Sequence, residues 1–196
     1  MYKITHSLLA SWQYATSEDA AEGAYDSFLS TLRGERTEPT EAMLEGRRFE
    51  DLVNRIVADT TVNESEEGYL SAREIAMTVY KGQPQVKIEK DIILLGEEYR
   101  LVGVLDYLKA GTAYDIKRTS HYEYGKYQDS TQHPMYFRLV PNATYFVYLI
   151  FDGSRVLTED YWRDETEPID ATILQFMDFL RANGLMDVYQ EHWSVA

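Results

Sequence analysis

The hydrophobic period of the chain changes sharply at Gly82-Gln83-Pro84. Before that point apolar residues recur at helical spacing. Ser17 is placed to cap a segment running to about Leu32, with Ala20, Ala21, Ala24, Phe28 and Leu32 as its apolar side and Gly34 as its stop. Pro39-Thr40-Glu41 opens a longer helix to about Asp59, in which Met43, Leu44, Phe49, Leu52, Val53, Ile56 and Val57 repeat with the same period. A third helix follows Asn63 and carries Ile75, Ala76, Val79 and Tyr80. After the break the spacing becomes that of strands: Val86 to Leu95, Tyr99 to Lys109 and Thr112 to Lys117, separated by Gly96-Glu97-Glu98 and Ala110-Gly111. A helix from about Thr131 to Val140, an Asp152-Gly153 hairpin between Ala143 and Trp162, and helices beyond Pro168 complete the order. Helical and strand segments alternate without a linker or repeat. This predicts one α/β domain over residues 1–196, with a helical N-terminal region (1–82), a sheet core (84–162) and terminal helices (168–194).

The strands carry an unusual set of charges. With Ala110-Gly111 as a two-residue turn, Lys109 faces Thr112, Leu108 faces Ala113, and Asp106 faces Asp115. Directly opposed residues stand roughly 4.5–5.5 Å apart at Cβ, where like charges repel. Period two also puts Asp115 and Lys117 on one face with Ile116 turned away, and puts Asp106 with Val102, Val104 and Leu108. Two acids and a lysine on an apolar sheet face are costly unless something neutralises them. A hard divalent cation does so, because Mg²⁺ is commonly held by one or two carboxylates plus water and phosphate oxygens. Against this stands an ordinary exposed hairpin with scattered charge. Glu50, on the long helix in Gly46-Arg47-Arg48-Phe49-Glu50, lies at the edge of the apolar side; Gln132 and Tyr136 share a face of the helix that begins Gln132-His133-Pro134.

Composition removes several classes of function. There is no cysteine among the 196 residues, hence no disulfide framework, no Cys-based zinc site and no thiol nucleophile. His6, His121, His133 and His192 have no metal-ligand spacing, although His121 and His133 flank the acids in sequence. No apolar run approaches the roughly 20 residues of a membrane span, and Met1 to Ser7 lacks the apolar core of a signal peptide, so a cytoplasmic protein without membrane contact is expected. The formal charge is −14, which argues against a general nucleic-acid coat. That charge is uneven: residues 152–191 hold 10 acids and 3 bases, whereas residues 117–139 hold 4 bases and 2 acids.

Read in order, the chain offers a helix with Gly-x-x-x-Glu, a strand with Asp, a strand with Asp-Ile-Lys and a helix with Gln-x-x-x-Tyr. That ordered set resembles the PD-(D/E)XK nuclease superfamily, in its RecB-type and phage-exonuclease-like branch. The match runs over roughly residues 4–151, and the start Ile4 to Trp12 is loosely similar to the Ser-rich first helix of that branch. The resemblance implies a restriction-endonuclease-like core, a central mixed β-sheet flanked by helices. It also implies hydrolysis of DNA phosphodiester bonds with Mg²⁺ or Mn²⁺. Asp106 and Asp115 would hold the metal, with the Ile116 carbonyl and Glu50 as further ligands; Glu50 stands where the branch commonly has His. Lys117 would position or activate water, Gln132 would brace it, and Tyr136 would support the site or touch DNA. Arg118, Lys126 and Arg138 join Lys117 as candidates for phosphate contacts. Some relatives act beside a strand-annealing protein, which extends the expectation to phage or prophage recombination, with oligomers also found in the branch. Two rivals keep the composition but not the enzyme: a nuclease-fold binding module whose acids are relics, and an acidic protein that binds a basic partner.

Overall fold

The computed structural model describes residues 1–35 and 38–195. Six strands form one mixed sheet, with helices on both faces. Its centre is β3 (Glu97–Lys109), paired along nearly its whole length with antiparallel β2 (Gln83–Leu94). The other edge of β3 is shared. β1 (Tyr2–Thr5) pairs in parallel with Tyr99 to Val102, and β4 (Thr112–Arg118) pairs antiparallel with Tyr107, Leu108 and Lys109. β5 (Tyr145–Phe151) lies parallel to β4, and β6 (Val156–Trp162) closes the sheet antiparallel to β5. The parallel β4–β5 pair needs a crossover, which α5 (Gln132–Leu139) supplies.

The Ala110-Gly111 hairpin uses the turn the sequence calls for; the other turn is Leu95-Gly96, one residue earlier than expected, and Glu97 and Glu98 pair with Leu94 and Ile93 as part of β3 instead of forming the loop. Ala110 and Gly111 both have positive φ, 49° and 82°, as do Leu95 and Gly96 at 49° and 85°. Two left-handed residues in succession match the twist of the strands they join. Lys109 therefore faces Thr112 and Leu108 faces Ala113, as expected.

Each face has its own core. One buries α1 (His6–Thr16), α2 (Ala24–Leu32), α5, α6 (Asp170–Ala182) and α7 (Met186–Trp193) against Leu101, Phe146, Tyr148 and Ile150. The other packs α3 (Glu41–Val57) and α4 (Tyr69–Val79) on Ile116, Val147, Leu149 and Phe151. β5 is buried on both sides, which explains its unbroken apolar run.

The first third of the chain departs from the sequence expectation. Ser17 ends a helix instead of starting one: its N–H and hydroxyl both donate to the Tyr14 carbonyl, at 3.2 and 2.9 Å. The following helix starts only at Ala24, after Gly23 at φ 82°. Thr5 is the true cap of α1, accepting from the Leu8 N–H at 3.2 Å. β1 has no sequence signal of its own, since four residues become a strand only because β3 offers an open edge.

Helix α5 lies on β3 so closely that Gly103 has no room for a side chain. A Cβ there would stand 2.7 Å from both Leu139 Cδ1 and Tyr136 Cε1, and Tyr136 is tethered by its hydroxyl to the Val104 carbonyl. Gly103→Ala is expected to cost about 1–3 kcal/mol, read as a lower urea midpoint at unchanged m. An unchanged midpoint would show that α5 can shift freely.

Candidate functional site

β3 and β4 separate just past the Tyr107–Tyr114 pair, and the acids lie where they part. Leu105 packs in the core on the α5 face, whereas Tyr107 packs on the α3 face, so the alternation of β3 changes phase at Asp106. Opposite Asp106 on β2, Gln85 takes φ 48°. The expected cross-strand pairing of Asp106 with Asp115 is thus not a ladder pair, and Asp106 does not share a regular face with Val102, Val104 and Leu108. Instead its Oδ2 accepts the Ile116 N–H across the gap, at 2.7 Å. A carboxylate takes the place of a backbone acceptor at the point where the ladder ends.

Asp115 and Lys117 do share a face, with Ile116 turned into the opposite core. Asp115 is only 4% exposed. Its Oδ1 accepts from Gln132 Nε2, which α5 delivers from its first turn. Its Oδ2 is paired with Lys117 Nζ at 2.7 Å. Lys117 Nζ also sits 5.8 Å from the centre of the Tyr148 ring. Tyr136 lies on the same face of α5 as Gln132, as the spacing predicts, and its hydroxyl donates to the Val104 carbonyl beside Asp106. Glu50 approaches from α3, where its Oε1 accepts from Gln85 Nε2 at 2.7 Å.

These acids feel one another. Burial, then the charges of Asp115 and Glu50, push Asp106 up to about 8 against the pull of the Ile116 N–H. Burial and then Asp115 also raise Glu50. For Lys117 burial works to lower the pKa, but Asp115 and Asp106 outweigh it and the net direction is up. The ammonium is therefore held charged, while the carboxylates together carry more negative charge than the pocket tolerates.

The donor chemistry fits a hard cation: two carboxyl groups that repel one another lie in one gap, with the Asp106 carboxyl pushed up by burial and for want of a compensating charge. Among the described residues, however, no three His, Cys, Asp or Glu side chains converge as a ready-made metal cluster. Glu50 is near enough to shift Asp106 but does not complete a triad as placed.

Of the basic candidates, only Lys117 joins the acids. Arg118 points to the α3–α4 side, 3.2 Å from Glu45 and 3.9 Å from Glu67, with its guanidinium over Phe151. Lys126 ties its own loop together through Thr119 Oγ1 and the His121 carbonyl, at 2.9 and 2.7 Å. Arg138 is held by Asp170 of α6 at 2.9 Å. Of the flanking histidines, His121 is exposed beside Glu123, and His133 stacks on Tyr161 at 3.9 Å. His6 is the residue that spacing could not find. Its Nδ1 lies 2.8 Å from Thr131 Oγ1, one residue before Gln132, and burial, Lys117 and His133 hold it down at about 3. Only the β1 pairing brings residue 6 to this place, and nothing in the local sequence signals it.

No protein-family model matches the chain, and no curated protein is similar to it. Solved structures are similar in fold. The crystal structure of SSO0001 is 13% identical, covers 93% of this chain and 76% of its own, and has a TM-score of 0.52. Two structures of the alkaline exonuclease LHK-Exo from Laribacter hongkongensis are 15% identical (the complex with dAMP) and 17% identical; each covers 97% of this chain and 89% of its own at a TM-score of 0.45. At these identities the likeness is one of chain path. The restriction-endonuclease-like arrangement expected from the sequence, a mixed sheet with helices on both faces, is the one this chain adopts.

The raised Asp106 gives the fold a pH signature. Between its ordinary 3.8 and about 8 the folded chain keeps a proton that the unfolded chain has released, so stability falls as pH rises through that window. His6 and His133, held down by burial at about 3 and about 4, act with the opposite sign up to about 6.5, so the Asp106 effect dominates only above that. Thermal unfolding in EDTA is expected to show Tm falling from about pH 7 to about pH 8, where the histidines no longer differ between the two states. Asp106→Asn flattens that slope and raises stability at the alkaline end, on the order of a few kcal/mol. A metal-free wild-type Tm that climbs over this range contradicts the assignment.

Proposed function

We propose that this chain is a Mg²⁺- or Mn²⁺-dependent DNA nuclease, cutting phosphodiester bonds as an exonuclease. One observation carries the reading. Asp106, Asp115, Lys117 and Gln132, from three different elements, meet where β3 and β4 part, with two carboxyl groups beside one lysine and Asp106 pushed well above the usual carboxyl range by burial and its acidic neighbours. A structural ion pair needs neither the second acid nor the gap.

Asp106 and Asp115 would hold the cation, with the Ile116 carbonyl beside them and Glu50 contributing directly or through water. When bound, the cation supplies Lewis-acid stabilisation of charge on the scissile phosphate. The residues do the rest. Gln132 fixes the Asp115 carboxylate through Oδ1, while Oδ2 faces Lys117. Lys117 is held charged, which suits it to orient water by hydrogen bonding and to steady charge on the phosphate. A cation held beside Asp106 would favour its ionised form. Tyr136 braces β3 at Val104 and so sets where Asp106 stands. The family resemblance extends the proposal to phage or prophage recombination beside a strand-annealing protein.

Purified protein is expected to degrade linear DNA with Mg²⁺ or Mn²⁺ and not in EDTA. Asp115→Ala should lower the rate by on the order of 10²–10³, the worth of several kcal/mol of metal-borne charge stabilisation. Calorimetric titration with Mn²⁺ should reveal a site that disappears in Asp106→Ala. Wild-type protein that cleaves neither duplex nor single-stranded DNA, or Asp115→Ala that cleaves normally, overturns the proposal. Failure to bind Mn²⁺ points to the binding module without catalysis.

A further inference from the structure

Helix α3 carries a glycine that the protein itself does not require. Gly46 lies in the helix interior, where glycine is among the least favourable residues, and its φ is not in the left-handed region. Apart from its chain neighbours and the adjoining helix backbone, no protein atom stands within 4 Å of the place its Cβ would occupy. Gly103 is glycine because α5 crowds it; Gly46 borders open space. That space is a cavity of about 390 Å³ between α3 and the end of β4, lined by Gly46, Arg47, Glu50, Ile116, Lys117 and Arg118 among others. Ala42, Gly46 and Glu50 recur every four residues, so short side chains form a floor that leads to Glu50. At its inner end Lys117 pairs with Oδ2 of buried Asp115.

The charges favour a polyanion here. Arg47 is exposed and makes no ion pair among the described residues; Lys117 and Arg118 also line the cavity, where Asp115 and Glu45 pair with them. The larger cavity of the molecule, about 610 Å³, has the opposite character. Five carboxylates line it (Asp129, Glu159, Asp160, Glu165 and Glu167), with no Lys or Arg. A phosphate chain is repelled there and has one cationic approach to the acids.

We propose that the cavity over Gly46 seats the phosphodiester backbone of a single DNA strand. Gly46 keeps the floor low enough for the strand to lie against the helix, and Arg47 contacts phosphates on its way to Lys117. This rests on the nuclease reading for its ligand, but it assigns a binding role to Gly46 and Arg47, which take no part in holding metal.

The test is the anisotropy of a labelled single-stranded oligothymidylate in EDTA, repeated with Ca²⁺, beside thermal unfolding of each variant. Gly46→Leu is expected to weaken binding about tenfold or more while Tm stays level or rises, because leucine is the better helix former. Gly46→Ala, which cannot break the helix, should lie between. Arg47→Ala should weaken binding several-fold and reduce the slope of log Kd against log salt by about 0.7. An oligonucleotide with neutral methylphosphonate linkages should bind poorly to all forms. Wild-type affinity in both Gly46 variants overturns the proposal, as does a wild-type protein that does not bind the oligonucleotide. Cleavage that survives unchanged in Gly46→Leu sinks the groove and leaves the nuclease standing; Gly46-dependent binding without cleavage by wild type does the reverse.

Discussion

The bond from the Ile116 N–H to the Asp106 carboxylate is the constraint on which the rest of the site depends. Two antiparallel strands that diverge leave amides and carbonyls unpaired, and a buried orphan is costly. Here a side-chain carboxylate accepts the amide at the point of parting. The gap is thereby stable, Asp106 is fixed within it, and Asp115 sits across from it on a strand that no longer runs alongside. Had the ladder continued, the gap between the strands would have closed.

Around that gap the two helical layers contribute separately. Helix α5, pressed against Gly103, delivers Gln132 to Asp115 and Tyr136 to the Val104 carbonyl. From the other face α3 delivers Glu50, which Gln85 of β2 holds in place. The site therefore lies at the seam between the two cores. Its geometry answers to how both layers sit on the sheet.

Charge organises the surface in the same way. Much of the acidic excess lies toward the C-terminus of the chain, and Glu159 and Asp160 of β6 join Glu165 and Glu167 around the large cavity. The cationic residues near the acids are few and specific. Three of the basic residues that sequence proximity nominated are spent elsewhere, Arg118 partly on Glu45, Lys126 on its own loop and Arg138 on Asp170. Proximity along a chain says little about where a long, flexible side chain finds its partner.

Much was legible in the sequence because it depends on local rules. The change of period at Gly82 set the order of helices and strands. The Ala110-Gly111 turn set the register of Lys109 with Thr112, and period two put Asp115 and Lys117 together. The four-residue spacing put Gln132 and Tyr136 on one helix face. What the sequence could not decide depends on pairings between distant segments. β1 exists only because β3 leaves an edge for it, and that pairing brings His6 to Thr131. The phase change at Asp106 arises from two cores packing on one strand, and it converts an expected cross-strand pair into a carboxylate held by a backbone amide. Local chemistry chose the residues; the meeting of two layers at a parted pair of strands decided how they face one another, because burial and repulsion are settled only when all the neighbours are in place.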